Sequence, residues 1–428
     1  MYSPRVIQQR AAGFGLRLTA AGVKVLTDHR LLWALVAVFA VRRFIAEIPV
    51  WVPADSDVHQ FIGVGRVALK DPGSIYPAVA NQVAHAYFVT SLYPPPQLVL
   101  AALYALAPAP LDEALWVATN LVAAAVAVIV LLRMVARIHP VATPVFWLIV
   151  LCFTPLFEDL RLGQRGGLLL MLAVLAMATI ATRPVLAGVL AGLATSLKFY
   201  PGAMALGVNP RKQWRFMASL AVSSIAVLGA SFIPFGSPVF YLVKVLIPSI
   251  TWQNSGPHDC FQNSTPLLFA RVVGGEPFTV GNSEGIWRSV TVVPWHLTTL
   301  ATILTLVTIA AILACTFWAI LRSGFAQPYS LALCFSLGTL VPGEVFTYQF
   351  VPMLPLLVLV CMQAIRHARF LSLAVLGVAA WTLVASPCAL VLPSLWTVAA
   401  LAIFAVAVWH APLFRAQALP AAGDRSAS

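Results

Sequence analysis

The first strongly apolar segment, residues 31–51, reads LLWALVAVFAVRRFIAEIPVW and is followed at residues 52–60 by the polar stretch VPADSDVHQ. Apolar stretches long enough to cross a hydrocarbon core recur from there to residue 410. Inside lipid, each segment must satisfy its own backbone hydrogen bonds, so these stretches predict helices rather than strands. The sequence therefore predicts an all-α, polytopic membrane protein.

Composition and charge agree with that class. Hydrophobic residues make up 61% of the chain and charged residues only 9%, which is outside the range of soluble domains. A net charge of +12 would suit a nucleic-acid partner, but the basic residues lie mainly at the ends of apolar segments, as the positive-inside rule requires. We therefore expect no nucleic-acid partner. The residues concerned are Arg5, Arg10, Arg17, Lys24, Arg30, Arg211, Lys212, Arg215, Arg366 and Arg369.

The pattern divides the chain into a basic cytoplasmic N-terminus (1–30), a transmembrane domain (31–410) and a cytoplasmic tail (411–428). About twelve crossings of the cell membrane place both termini inside and two long polar segments, about 52–94 and 236–293, outside. The topology between residues 95 and 210 has two solutions. Either 95–107 and 185–207 both cross, or 95–107 does not cross and 184–210 is a hairpin of half-helices turning at Tyr200-Pro201, with Lys198 near the external face.

Asp57 and His59 follow the first apolar segment directly, in a chain with only 14 acidic residues. A carboxylate at that place can act as a general base toward a hydroxyl. A hydrated loop explains it more simply from composition alone.

Three further positions carry polar groups next to apolar segments. Lys198 has apolar neighbours, so it is either an ion partner, for example of a lipid phosphate, or a lysine that snorkels to the interface. Gln164, in LGQRGG at 162–167, can bind a sugar hydroxyl, and the run lacks the ending of a phosphate loop. Tyr93 precedes three prolines and is typical of a helix start at the interface.

The second polar segment and a late junction add more candidates. The run HDCFQNS at 258–264 can hydrogen-bond sugar hydroxyls but lacks the spaced ligands of a metal site. The run PGEVFTYQ at 342–349 holds Glu344, which is either a second carboxylate near a site or a solvated cap.

In this order the motifs resemble glycosyltransferase family 87. The resemblance covers roughly residues 31–365. It rests on Asp-x-His at 57–59, Asp-Pro-Gly-x-x-Tyr at 71–76, Tyr-Pro-Pro at 93–95, Gly-Gln at 163–164, the Gly192–Pro201 segment with Lys198, and Asn263-Ser264.

The resemblance implies a GT-C fold and an inverting transfer of a sugar, most often mannose, at the outer face. The donor would be a polyprenyl-phosphate sugar, the acceptor a hydroxyl of a lipid-linked or cell-envelope glycan, and no metal would be needed. Asp57 would be the base, and Lys198 and Arg66 would bind the lipid phosphate. Substrate-binding positions would be His59, Tyr93, Gln164, Lys198, Gln262, Asn263, Glu344, Tyr348 and Gln349.

Three departures bear on the sugar. Gly166 stands where the family often has asparagine, and Tyr348-Gln349 replaces the His-His pair of the mannosyltransferases. In the large loop the family's asparagine is usually followed by Gln-Ser, whereas the order here is Gln262-Asn263-Ser264. An arabinofuranosyltransferase is the alternative within the family. Two interpretations from other classes remain open. If the chain were a transporter or lipid flippase, we would expect charged residues at mid-membrane and repeated halves. If it were an assembly protein, Asp57 would be replaceable.

Overall fold

The computed structural model describes residues 28–47, 57–84, 93–136, 138–247, 263–281, 287–342, 345–384 and 394–415. Helices dominate these ranges, which confirms the all-α class. The α-helices are α1 His29–Glu47, α2 Asp57–Lys70, α3 Ile75–Ala84, α4 Pro95–Ala105, α5 Leu111–Val135, α6 Ala142–Cys152, α7 Thr154–Arg161, α8 Gly166–Thr179, α9 Pro184–Leu197, α10 Trp214–Phe235, α11 Pro238–Tyr241, α12 Thr265–Val272, α13 Thr298–Ser323, α14 Pro328–Leu340, α15 Met353–Arg366, α16 Phe370–Val384 and α17 Leu395–Arg415.

Shorter elements complete the description. The segments Pro72–Ser74, Tyr200–Gly207 and Thr347–Phe350 are 3-10 helices, and Leu242–Leu246 is a π-helix. Strands β1 Phe278–Gly281 and β2 Trp287–Val290 pair antiparallel, with Phe278 opposite Val290. This hairpin lies in the second of the two segments that the sequence predicts to be external loops.

Four described helices are long and apolar enough to cross a membrane, namely α5, α10, α13 and α17. The pair α6 and α7, bent by 49°, makes a fifth if it counts as one span. The predicted count of about twelve spans is not confirmed. Helices such as α8, α9 and α14 have 13 or 14 residues, whereas a straight span needs about 20.

The first predicted loop is helical where it is described. Helix α2 places Val58, Phe61, Ile62 and Gly65 on one buried face, a spacing typical of an amphipathic helix. It packs on α4 so closely that a Cβ at Gly65 would come within 2.5 Å of the carbonyl oxygen of Ala101.

Helix α4, in the short segment 95–107 whose crossing the sequence leaves open, packs along α2. The Phe61 ring of α2 lies 5.1 Å from the Tyr93 ring just before α4. At the far end of the same segment, Arg66 of α2 pairs with Asp112 of α5. Both ends of the segment therefore lie against α2. Apolar composition alone does not distinguish such a helix from a crossing one.

Of the two topologies that the sequence leaves open for residues 184–210, the structure shows the hairpin. Helices α9 and α10 run parallel, because Gly188 lies against Ser219 and Gly192 against Ser223, and small residues allow this close approach. The chain between them must therefore return along the bundle. The 3-10 segment Tyr200–Gly207 makes that return beside α14, where the Gly207 carbonyl accepts from the Ala326 amide at 2.8 Å. Lys198 stands at the turn.

Arg43 attaches α1 to the break between α6 and α7. Pro155 has no N–H, so the Leu151 carbonyl lacks its usual helical donor. The Arg43 Nε donates to that carbonyl at 2.9 Å, and its Nη2 donates to Thr154 Oγ1 at 2.7 Å. The sequence predicts that Arg42 and Arg43 snorkel or face the bundle interior, and Arg43 does the latter.

We expect Arg43→Met to lower the free energy of unfolding by about 1–3 kcal/mol, because it leaves the Leu151 carbonyl without its arginine donor. Arg42→Met is the matched control, since the Arg42 side chain is exposed. Thermal unfolding of the two purified variants in the same detergent measures the difference. Equal melting temperatures would mean that the Arg43 contacts contribute nothing to stability.

Candidate active site

Asp57 is the first residue of α2 and is half-buried. Its carboxylate accepts a hydrogen bond from Nε2 of Gln164. The Tyr93 hydroxyl donates to Oε1 of the same amide at 3.0 Å. A carboxylate requires a donor, so this arrangement fixes which end of the Gln164 amide faces Asp57. Three residues far apart in the sequence thus form one hydrogen-bonded line.

The loop that carries Gln164 is built for this contact. Gly163 has φ +66°, and a Cβ there would overlap Val58 in the first turn of α2. The Trp116 indole donates to the Gly163 carbonyl at 2.6 Å. Glycine at 163 therefore lets the loop rest directly on the start of α2. The Gly-Gln pair of the sequence has a backbone reason as well as a polar side chain.

Asp159 binds the backbone just after Gln164, where the loop enters α8. The sequence did not identify Asp159 as a site residue. Its carboxylate accepts from the amides of Gly166 at 2.8 Å and Gly167 at 3.0 Å, and from Asn120 Nδ2 at 3.3 Å. A carboxylate at these amides satisfies the free N–H groups of the first turn of α8. The only sign of this role in the sequence was a rare acidic residue, Asp159, a few positions before the pair Gly166-Gly167.

Tyr93 is held in turn by the first polar segment. The Tyr76 hydroxyl donates to the Tyr93 carbonyl at 2.9 Å. Tyr76 itself is buried against Tyr241 and Phe235. The tyrosine of the Asp-Pro-Gly-x-x-Tyr motif therefore fixes the backbone from which Tyr93 reaches Gln164.

Lys198 lies at the same place, at the end of α9. Its Nζ is 5.5 Å from the centroid of the Tyr93 ring and 5.8 Å from that of Tyr348, within the range of cation–π contacts. It is also close enough to Asp57 and Asp159 to interact with both charges. Lys198 as a whole is only partly buried.

The pKa of the Asp57 carboxyl lies above its ordinary value because burial disfavours the charged form. The hydrogen bond from Gln164 and the positive charge of Lys198 oppose that rise. A carboxylate with a raised pKa is a stronger base than an exposed aspartate. The site thus places a strengthened base near a lysine.

Two predicted site residues on α2, His59 and Arg66, form contacts with α5 instead of with the site. His59 Nδ1 lies 2.6 Å from Glu113 Oε1, and Arg66 Nη2 lies 2.5 Å from Asp112 Oδ2. Arg66 is nine residues beyond Asp57, roughly 13 Å along the helix. Both contacts dock α2 on the start of α5, so the structure does not bring Arg66 to Asp57 and Lys198.

Asn263, in the second polar segment, contacts the stretch of chain that carries Tyr348. The backbone N–H of Asn263 donates to the Val345 carbonyl at 2.6 Å. The side-chain oxygen of Gln349 accepts from the backbone N–H of Phe346 at 3.2 Å. Asn263 and Gln349 therefore brace the Tyr348 segment. Gln262 and Glu344 lie outside the described residues.

No group of three or more His, Cys, Asp and Glu side chains could hold a metal ion among the residues that the structure describes. Metal independence stays a prediction.

The helical membrane bundle thus brings a carboxylate, a lysine and two tyrosines together in one partly open site. Residues 92–343, more than half of the chain, match the model of glycosyltransferase family 87. The protein is a membrane glycosyltransferase. It belongs to glycosyltransferase family 87.

The matched range contains Tyr93, Gln164, Lys198 and Asn263, whereas Asp57 precedes it and Tyr348 follows it. Asp57 and Tyr348 join the family's region through contacts with Gln164, Tyr93 and Lys198. No curated protein and no solved structure matches the chain.

Proposed function

We propose that the protein is an inverting glycosyltransferase that moves mannose from a polyprenyl-phosphate donor to a hydroxyl of a lipid-linked or cell-envelope glycan. The reaction takes place at the outer face of the cell membrane, with both chain termini in the cytoplasm. The observation that carries the proposal is the meeting of Asp57 and Lys198 in one partly exposed site. A base and a cation are the two groups that such a transfer needs.

Asp57 acts on the acceptor. The acceptor oxygen forms a bond to the anomeric carbon while the bond from that carbon to the phosphate oxygen breaks. The hydroxyl proton passes to Asp57, and the bonding electrons leave with the phosphate. Gln164 occupies the Oδ2 atom of Asp57, which leaves Oδ1 for the hydroxyl. A positioned base of this kind accelerates such a step by about 10²–10⁴-fold.

Lys198 acts on the donor. The leaving phosphate gains negative charge as the glycosidic bond breaks, and a fixed cation stabilises that charge without reorganisation. The rings of Tyr93 and Tyr348 flank Lys198 and provide apolar faces for the substrate. Arg66 has no part in this proposal, because its guanidinium is paired with the buried Asp112.

The experiment is an assay of the purified protein in liposomes with labelled polyprenyl-phosphate mannose and, separately, labelled polyprenyl-phosphate arabinose. We expect transfer from the mannose donor, with less from the arabinose donor. The opposite order would establish the arabinofuranosyl alternative. Transfer from neither donor, together with movement of labelled lipid across the liposome membrane, would overturn the proposal in favour of a flippase.

A further inference from the structure

A groove of about 550 Å³ lies between α16 and α17, away from the candidate active site. The chain that carries Tyr348 leads into α15, which runs 14 residues to Arg366, just before the groove. Those residues span roughly 20 Å. The groove and the candidate active site are therefore at opposite ends of the bundle, and the groove is on the side predicted to be cytoplasmic.

The groove runs along the two helices rather than across them. Ser372 Oγ and His410 Nε2 are 2.8 Å apart, so the start of α16 packs on the end of α17. Along α17 the lining extends from Ala402 to Trp409, roughly 10 Å. Alanine side chains at 402 and 405 make the depression between the helices.

The walls of the groove are apolar and face outward. Leu371 is 80% exposed and Trp409 is 75% exposed. Both residues belong to apolar helices of a membrane protein, so their natural surroundings are hydrocarbon. A tryptophan near the end of such a helix is typical of the membrane interface.

One end of the groove is polar and positive. Arg369 lines it next to Ser372, and the side chain of Arg369 forms no ion pair within the described part of the chain. None of the described residues that line the groove is acidic. A cation above an apolar channel matches a molecule with an anionic head and a hydrocarbon chain.

We infer that this groove binds an acidic phospholipid. The lipid phosphate lies at Arg369, and one acyl chain follows the alanine floor between the two helices. Basic side chains at the cytoplasmic interface attract anionic lipid, and one arginine there favours it by about fivefold. The inference is independent of the proposed sugar transfer.

The test is native mass spectrometry of the full-length protein in detergent, titrated with phosphatidylglycerol or with phosphatidylcholine carrying the same chains. We expect phosphatidylglycerol to bind about fivefold more tightly, and Arg369→Gln to remove that preference. Arg322→Gln is the matched control, since Arg322 lies in the last turn of α13 and does not line the groove, and it should keep the preference.

A second variant tests the apolar part. Ala405 is exposed, so Ala405→Phe fills the groove without disturbing the core, and we expect weaker binding of both lipids. Equal binding of the two lipids by the parent protein would overturn the inference. So would an unchanged preference in Arg369→Gln, or unchanged lipid binding in Ala405→Phe.

Discussion

Replacing Asp57 by asparagine is expected to lower kcat/KM for sugar transfer from a polyprenyl-phosphate donor by about 10²–10⁴-fold, the usual contribution of a general base. Asparagine has nearly the same shape, and its side-chain oxygen can still accept the hydrogen bond from Gln164. The variant therefore loses the proton acceptor and keeps the local structure. Transfer rates of purified wild type and variant, each checked by thermal unfolding, measure the effect.

Asp71→Asn is the control for that substitution. Asp71 is exposed just beyond the other end of α2, and its side chain makes no capping hydrogen bond. The same chemical change there should leave kcat/KM within about twofold, because Asp71 lies roughly 20 Å from Asp57 along the 14-residue helix α2. A folded Asp57→Asn protein as active as Asp71→Asn would remove Asp57 from the mechanism.

Replacing Lys198 by methionine is expected to lower kcat/KM by about 10²–10³-fold, as loss of one preorganised oxyanion donor does. Methionine keeps an unbranched side chain but carries no charge to stabilise the leaving phosphate. Lys198→Arg keeps the charge and should recover part of the activity. Steady-state rates at saturating acceptor, with the donor varied, measure the difference.

Lys198 also interacts with the charge of Asp159, so its removal can change stability, and thermal unfolding is needed alongside the rates. Lys70→Met is the control, because Lys70 is an exposed lysine at the end of α2. Full activity in a stable Lys198→Met protein would contradict the phosphate role.

The sequence predicts the long spans well and the shape of the site poorly. The sequence predicts spans at about 112–134, 214–235 and 296–321, and helices α5, α10 and α13 lie within two residues of these bounds, since a long apolar window has one solution in lipid. The fourth long helix, α17, begins and ends four or five residues later than the predicted span 391–410. The contact between Asp57 and Gln164 joins residues 107 positions apart. It depends on how α2, α4 and α8 pack, which no local pattern encodes.

Two features were visible in the sequence and were missed. The spacing of Val58, Phe61, Ile62 and Gly65 is that of an amphipathic helix, yet polar neighbours make the segment look like a loop. Asp159 looks like an ordinary acid beside Glu158. Its role appears only when the turn at Gly163 brings the amides of Gly166 and Gly167 over its carboxylate.

A pH profile of kcat/KM tests the claim that Asp57 takes the proton of the acceptor. A base is active when deprotonated, and burial raises the pKa of Asp57. Activity should therefore be full above that raised pKa and fall as the pH drops through it, at a higher pH than for an ordinary aspartate, whose pKa is about 4. Asp57→Glu should move the midpoint. A midpoint that does not move in an active Asp57→Glu enzyme would contradict the claim.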